Sequence, residues 1–229
     1  MFNLGMRYEY YTPPRELGGT TPLFDSITLS MMDLGGALSL NDKTTFAPRA
    51  ALSWSPSALR GNTVIRVGGG IYYGPGRFGD LLTPIENNAL SLMWPGGSYP
   101  ADFPMLLGMG VVPSLLNAYD VNNYRIPERS IEYGISVQQQ LPVRLVGQIG
   151  YTGSLGRHLF RNGTANPILA VDPATGDVLR QNPYMTEVLT ADTGGRSRYD
   201  SLQLGLTRRF VDELTLGMAY TWSHSIGDE

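Results

Sequence analysis

Leu214-Thr215-Leu216-Gly217-Met218-Ala219-Tyr220-Thr221-Trp222 is the stretch that decides the fold. Taken alternately, Leu214, Leu216, Met218, Tyr220 and Trp222 are apolar or aromatic, whereas Thr215, Gly217, Ala219 and Thr221 are small or weakly polar. Successive side chains of an extended strand point to opposite faces, so the stretch reads as a strand with one wholly apolar side. The preceding stretch repeats the pattern, with Leu202, Leu204, Leu206 and Phe210 against Ser201, Gln203, Gly205, Thr207 and Arg209. Arg208 is the misfit on the apolar side, near a strand end where a long side chain reaches water. Val211-Asp212-Glu213 alone separate the two stretches, which predicts a short hairpin.

The period of two recurs upstream. Phe2, Leu4, Met6, Tyr8 and Tyr10 oppose Asn3, Gly5, Arg7 and Glu9; Phe46, Pro48, Ala50, Leu52 and Trp54 oppose Ala47, Arg49, Ala51 and Ser53. Ile65, Val67, Ile71 and Tyr73 oppose Val64, Arg66, Gly68 and Tyr72, and Ile131, Tyr133, Ile135, Val137 and Leu141 oppose Glu132, Gly134, Ser136, Gln138 and Gln140. Beyond Pro142 the chain returns as Leu145, Gly147, Ile149 and Tyr151 against Val146, Gln148, Gly150 and Thr152. The expected fold is all-β: an antiparallel meander of about seven long strands, part of a transmembrane β-barrel, because a tilted membrane-spanning strand needs about 9–11 residues.

Composition agrees. Charged residues make up 16% of the chain, with 28 glycines and 13 tyrosines, which suits strands and turns better than helices. A net charge of −3 and the absence of a Lys/Arg-rich run give no footprint for nucleic acid. With no cysteine, a disulfide framework, a thiolate zinc site and a cysteine nucleophile are excluded. No apolar run reaches the ~18 residues of a spanning helix; the longest, Phe103 to Leu116, is broken by Pro104 and Pro113. Met1-Phe2-Asn3-Leu4 has neither the basic nor the apolar region of a signal peptide, so an export signal is expected in sequence upstream.

Connections alternate strictly. Ser55–Asn62, Leu141–Val143 and Val211–Glu213 are short, whereas Thr12–Thr45, Gly74–Arg129 and Ser154–Arg198 are long. Bacterial barrels have brief periplasmic turns and long extracellular loops, so residues 12–45, 74–129 and 154–198 are expected outside the cell. Tyr8, Tyr10, Tyr73, Tyr151, Tyr220 and Trp222 then fall near the long-loop ends, and Phe2, Trp54 and Phe210 near the short-turn ends, as two lipid-facing aromatic girdles. Arg7, Glu9, Arg49, Arg66, Glu132, Gln138, Gln148 and Arg209 are expected to face the lumen. Seven strands are fewer than the usual minimum of about eight, so residues 1–229 are expected to be a partial barrel domain completed by further strands.

Several segments resemble Oar-like TonB-dependent receptors. They are Asn3-Leu4-Gly5-Met6-Arg7-Tyr8-Glu9-Tyr10-Tyr11-Thr12-Pro13-Pro14, Phe46-Ala47-Pro48-Arg49 and Thr63-Val64-Ile65-Arg66-Val67-Gly68-Gly69-Gly70-Ile71-Tyr72-Tyr73. Val137-Gln138-Gln139-Gln140-Leu141-Pro142 and Gly150-Tyr151-Thr152-Gly153-Ser154-Leu155-Gly156-Arg157-His158-Leu159 follow, then Tyr199-Asp200-Ser201-Leu202-Gln203-Leu204 and Tyr220-Thr221-Trp222-Ser223-His224-Ser225-Ile226. The resemblance implies an outer-membrane transporter with a barrel of about 22 strands and a plug in its lumen, this chain supplying about a third of the wall. Its implied partners are outer-membrane lipid, the remaining strands, the plug, and the TonB complex reached through a part that has no counterpart here. It implies no catalytic residues.

Other motifs carry less. Gly74-Pro75-Gly76-Arg77-Phe78-Gly79 fits a dinucleotide fingerprint, but no helical period follows it, so a loop is expected and no cofactor. His158 and His224 lack further ligands at a metal-binding spacing. Asp172-Pro173-Ala174-Thr175-Gly176-Asp177 lacks the acidic ligands of a calcium loop and reads as the turn of a small hairpin between Ile168–Val171 and Val178-Leu179. Asn162-Gly163-Thr164 is a glycosylation triplet of no weight in a bacterium, and no serine, histidine and acid fall into a hydrolytic arrangement, so no enzyme is expected. The alternatives are a surface binding or adhesion protein built on the same wall, and a soluble β-sheet module with the apolar face as its core.

Overall fold

Two-residue alternation produces a sheet only if neighbouring strands pair with their alternations in phase. The computed structural model describes residues 1–15, 23–32, 37–76, 116–183, 187–209 and 214–228, and among them this is what happens. In chain order the strands are β1 (Phe2–Tyr8), β2 (Leu23–Asp25), β3 (Ser30–Met32), β4 (Leu40–Asn41), β5 (Phe46–Trp54), β6 (Thr63–Gly74) and β7 (Leu116–Asp120). They continue as β8 (Arg125–Ile126), β9 (Glu128–Leu141), β10 (Leu145–Ala165), β11 (Ile168–Val171), β12 (Val178–Arg180), β13 (Val188–Arg209) and β14 (Thr215–Asp228). β1, β5, β6, β9, β10, β13 and β14 pair in that order, each antiparallel to the next, as one curled wall. This is the expected seven-strand meander.

The pairing carries one side-chain row across all seven strands: Phe2, Leu52, Val67, Ile135, Tyr151, Leu202 and Trp222 are successive partners. Directly opposed residues of an antiparallel pair share a face, so the row is a continuous apolar band. Its residues are not packed under anything: Val67, Ile135 and Leu204 stay more than 40% exposed in mid-sheet, and Met218 and Trp222 reach 76% and 67%. The sheet curls with its apolar side outward, the reverse of a water-soluble sandwich.

Two of the three short connections hold as read. A 3-10 turn at Ser57–Leu59 followed by Arg60 and Gly61, both at positive φ, joins β5 to β6. Leu141 pairs directly with Leu145, and Val143 and Arg144 at φ 57 and 58 reverse the chain between them. The third turn, Val211–Glu213, lies outside the described residues, as do Phe210 and most of the broken apolar run from Phe103. The small hairpin is present as β11 and β12, with Gly176 at φ 77 in its turn.

The long connections differ from expectation. Residues 154–198 were expected as a loop, yet β10 runs on to Ala165 and β13 starts at Val188, giving strands of 21 and 22 residues. The alternation disappears there for a local reason. His158 has φ 55, and the register shifts between Arg157 and Leu159 and again between Leu159 and Arg161. Each bulge returns the chain to the opposite face, so the pairing continues while the period of two is lost.

The expected loops 12–45 and 74–129 also contain strands. β7 adds to the upper end of β13 in parallel, Val188 to Ala191 against Leu116 to Tyr119, while β2 pairs parallel to β7, and β3 antiparallel to β2. β4 and β8 form a separate parallel pair. Around them sits a core of the water-soluble kind: Leu23, Leu38, Tyr119, Tyr124, Ile126 and Ala191 are buried together, with Tyr11, Val121 and Phe160 packed on them.

Polar side chains tie this assembly down. Asp25 Oδ1 accepts the amides of Ile27 and Thr28 and the Asn122 side chain, and buried Asp120 accepts Ser26 Oγ, the Asn122 amide and Asn123 Nδ2. The Ile27 and Thr28 amides hold the Asp25 carboxyl below its ordinary range. A depressed carboxyl contributes stability above its unfolded value of about 3.9 and loses it as pH falls through the folded value. Acidification below about pH 4 should therefore release the amides of residues 23–32 while the wall stays protected. Pulse hydrogen exchange checks this, and Asp25→Asn should show the lowered protection already at neutral pH.

Candidate functional site

The concave face holds the polar half of each strand. One register row reads Gly5, Arg49, Gly70, Glu132, Ser154, Tyr199 and Ser225 across the seven strands. A second reads Ser53, Arg66, Ser136, Gly150, Gln203 and Thr221, and a third Val64, Gln138, Gln148, Gly205 and Ala219. Three depressions of about 700, 470 and 540 Å³ lie along these rows.

Side chains interlock where glycine leaves room. Arg49 lies over Gly70, where an added Cβ would meet its Cγ at 2.8 Å, and its guanidinium carbon stands 4.3 Å from the centre of the Tyr72 ring. Arg66 Nη1 donates to Gln138 Oε1 at 2.9 Å, the Thr152 and Ser201 hydroxyls are 2.8 Å apart, and Gln203 reaches both. At the long-loop end Arg7 pairs with Glu9 at 2.8 Å, and Tyr11 donates its hydroxyl to the same carboxylate. Of the residues expected to line a lumen, Arg49, Arg66, Glu132, Gln138 and Gln148 thus share one concave face, with Arg7 and Glu9 above them beside the loop core. Arg209 ends β13 opposite Thr215.

The aromatic residues lie on the other face. Tyr8 stacks obliquely on Phe46 with ring centres 5.0 Å apart and donates to the Lys43 carbonyl, and Tyr10 just beyond β1 is half exposed. Trp54, Tyr220 and Trp222 are exposed, Tyr73 is half-buried, and Phe210 lies outside the described residues. Phe2 and Trp222 share a register row although the sequence puts them at opposite ends of their strands. The stagger accounts for this. The row stands two residues from the end of β5, six from the end of β9 and seven from the end of β13. Across six strand steps of about 4.8 Å, a tilt of about 40° lifts such a row by roughly 18 Å, so Phe2 and Trp222 sit at different heights.

One polar cluster escaped sequence reading. Asp200 stands on the apolar face and accepts the Tyr133 hydroxyl at 3.0 Å, the Tyr151 hydroxyl at 2.6 Å and Arg198 Nε at 2.6 Å. A strand traced from Ser201 stops one residue short of it; an acid on the apolar side, two residues before Leu202, was the available signal.

A curled antiparallel wall with its apolar face outward and its polar face inward defines a membrane β-barrel. In agreement, a family model for the outer membrane beta barrel domain matches residues 1–229, and the chain belongs to that family. It is an outer-membrane protein. No curated protein matches it. Among the described residues no helix is long and apolar enough to cross a membrane, and no three His, Cys, Asp or Glu side chains come together as a metal site. Gly74 ends β6 and Gly76 follows at φ 80, while residues 77–79 of the glycine motif lie outside the described residues.

Close strand approach makes some wall glycines irreplaceable. A Cβ on Gly69 would meet the Glu132 carbonyl oxygen at 2.9 Å, whereas one on Gly217 meets nothing within 4 Å. Gly69→Ala should lower stability by about 1–3 kcal/mol through overpacking and Gly217→Ala should leave it nearly unchanged. Urea unfolding of the chain in detergent micelles compares the two.

Proposed function

We propose that this chain forms part of the barrel wall of a TonB-dependent receptor of the Oar-like kind, an importer across the outer membrane. The observation that carries the reading is the two-faced wall: one face apolar and exposed over seven strands, the other a concave surface of Arg49, Arg66, Glu132, Gln138 and Gln148. In the absence of lipid, the apolar face would leave a hydrophobic patch far larger than a soluble monomer tolerates. Hydrocarbon is the medium that fits it, and a water-filled, plugged interior fits the concave side.

In this reading Tyr8, Tyr10, Tyr73, Tyr151, Tyr220 and Trp222 face lipid at the outer boundary and Trp54 at the inner one. Arg7, Glu9, Arg49, Arg66, Glu132, Gln138 and Gln148 face lumen and plug, where they tune passage and plug docking and catalyse nothing. Among the described residues β1 and β14 are each paired on one side only, and in this reading their other edges pair with further strands of the same barrel, as unpaired backbone has no place in lipid. The segments quoted above that resemble Oar-like receptors support the transporter over a plain surface adhesin, and the partner that energises uptake is then the TonB complex.

Tryptophan fluorescence tests the wall. In vesicles of lipids brominated along the acyl chain, Trp54 and Trp222, each isolated by Trp→Phe changes at the other two tryptophans, should be quenched most by bromines near the headgroups, from opposite leaflets. Chain that stays monomeric in buffer with both indoles unquenched would end the reading. Uptake is tested through the gene: a coding sequence without plug or TonB box would leave surface binding as the function.

A further inference from the structure

At the long-loop end of the apolar face, the side-chain chemistry changes within one register step. The last mainly apolar row is Ile71, Ile131, Leu155, Arg198 and Ile226. The next row on that face is Tyr73, Arg129, Arg157, Arg196 and Asp228. Three arginines therefore stand abreast on three adjacent strands, about 4.8 Å apart, and like charges placed directly opposite repel.

Three guanidiniums in the row stand against one carboxylate, Asp228 at its β14 end. Asp200 is taken by Arg198, Tyr133 and Tyr151, and Asp228 closes the row by accepting the backbone amide of Arg196. Arg157 Nη1 donates to the Gly156 carbonyl, and Arg129 Nε is buried without a hydrogen-bond partner. Guanidinium pairs bind phosphate oxygens in a bidentate fashion, and arginine keeps its stem on apolar surface while its head reaches the polar layer.

We propose that Arg129, Arg157 and Arg196 form a docking surface for the phosphate group of an outer-leaflet lipid, whose acyl chains lie on Ile131 and Leu155 directly below. The inference rests on the reading that the apolar face meets lipid. Continuity of the basic row with that face selects a lipid over a soluble anion or an acidic peptide. Neither of those would use the aliphatic side chains underneath.

The chain folded in zwitterionic detergent is titrated with fluorescent phosphatidylglycerol and with its phosphatidylcholine counterpart. Phosphatidylglycerol should bind at least about tenfold more tightly, with the preference falling as salt rises from about 20 mM to about 500 mM. Arg129→Gln/Arg157→Gln should abolish the preference and Arg129→Lys/Arg157→Lys should keep most of it. Inorganic phosphate at millimolar concentration should not displace the lipid. Equal binding of the two lipids, a preference untouched by the glutamines or by salt, or displacement by inorganic phosphate would each overturn the proposal. Should the glutamine variant not fold, the salt titration of the native chain decides. Tryptophan quenching by brominated lipid, measured on the folded variants, reports separately on the wall: quenching retained with the preference lost refutes neither inference, whereas quenching lost refutes the wall itself.

Discussion

Backbone pairing with matched alternation is the constraint from which the rest of this structure follows. A one-residue slip between any two wall strands would send every side chain of one strand to the wrong face. From β1 to β14 no such slip occurs below the His158 bulge, and seven strands contributed by distant parts of the chain therefore present single unbroken rows. The rows, and not any buried core, are what make the two faces chemically distinct. Leu4, Met6, Met218 and Tyr220 would be liabilities on a soluble protein, and here their exposure is the condition for stability.

The molecule thus uses two opposite rules for burial. Within the wall, large apolar side chains point outward and glycine, serine and glutamine point inward. In the strands between, Phe24, Tyr119, Val188 and Ile126 are sealed from solvent in the ordinary way, and aspartates gather hydrogen bonds around them. The boundary falls near His158 and Glu9, where bulge and buried carboxylate mark the passage from one rule to the other.

Much of the wall was legible because the period of two is a direct image of strand geometry. β1, β5, β6, β9 and the lower parts of β10, β13 and β14 could be traced from alternation alone. The upper parts of β10 and β13 could not, since the bulges scramble face assignment while preserving pairing. β7, β2, β4 and β8 were hidden for another reason. They are short and pair in parallel with segments far away, and their residues answer to contacts that no local period records. How the polar side chains of the wall are arranged was not legible in the sequence. That Arg49 lies across Gly70 to Tyr72, or that on the opposite face Asp200 collects two tyrosines, depends on which strands stand side by side.

The length of β13 has a consequence for what this protein meets first. Its 22 residues, at about 3.3 Å each and a tilt of about 40°, rise roughly 55 Å, about twice the ~25 Å apolar belt of such barrels. The excess forms a turret that carries the β11–β12 tip some tens of ångströms clear of the lipid. In the proposed orientation, a molecule arriving from the medium would touch the crown of that turret well before it came near the bilayer.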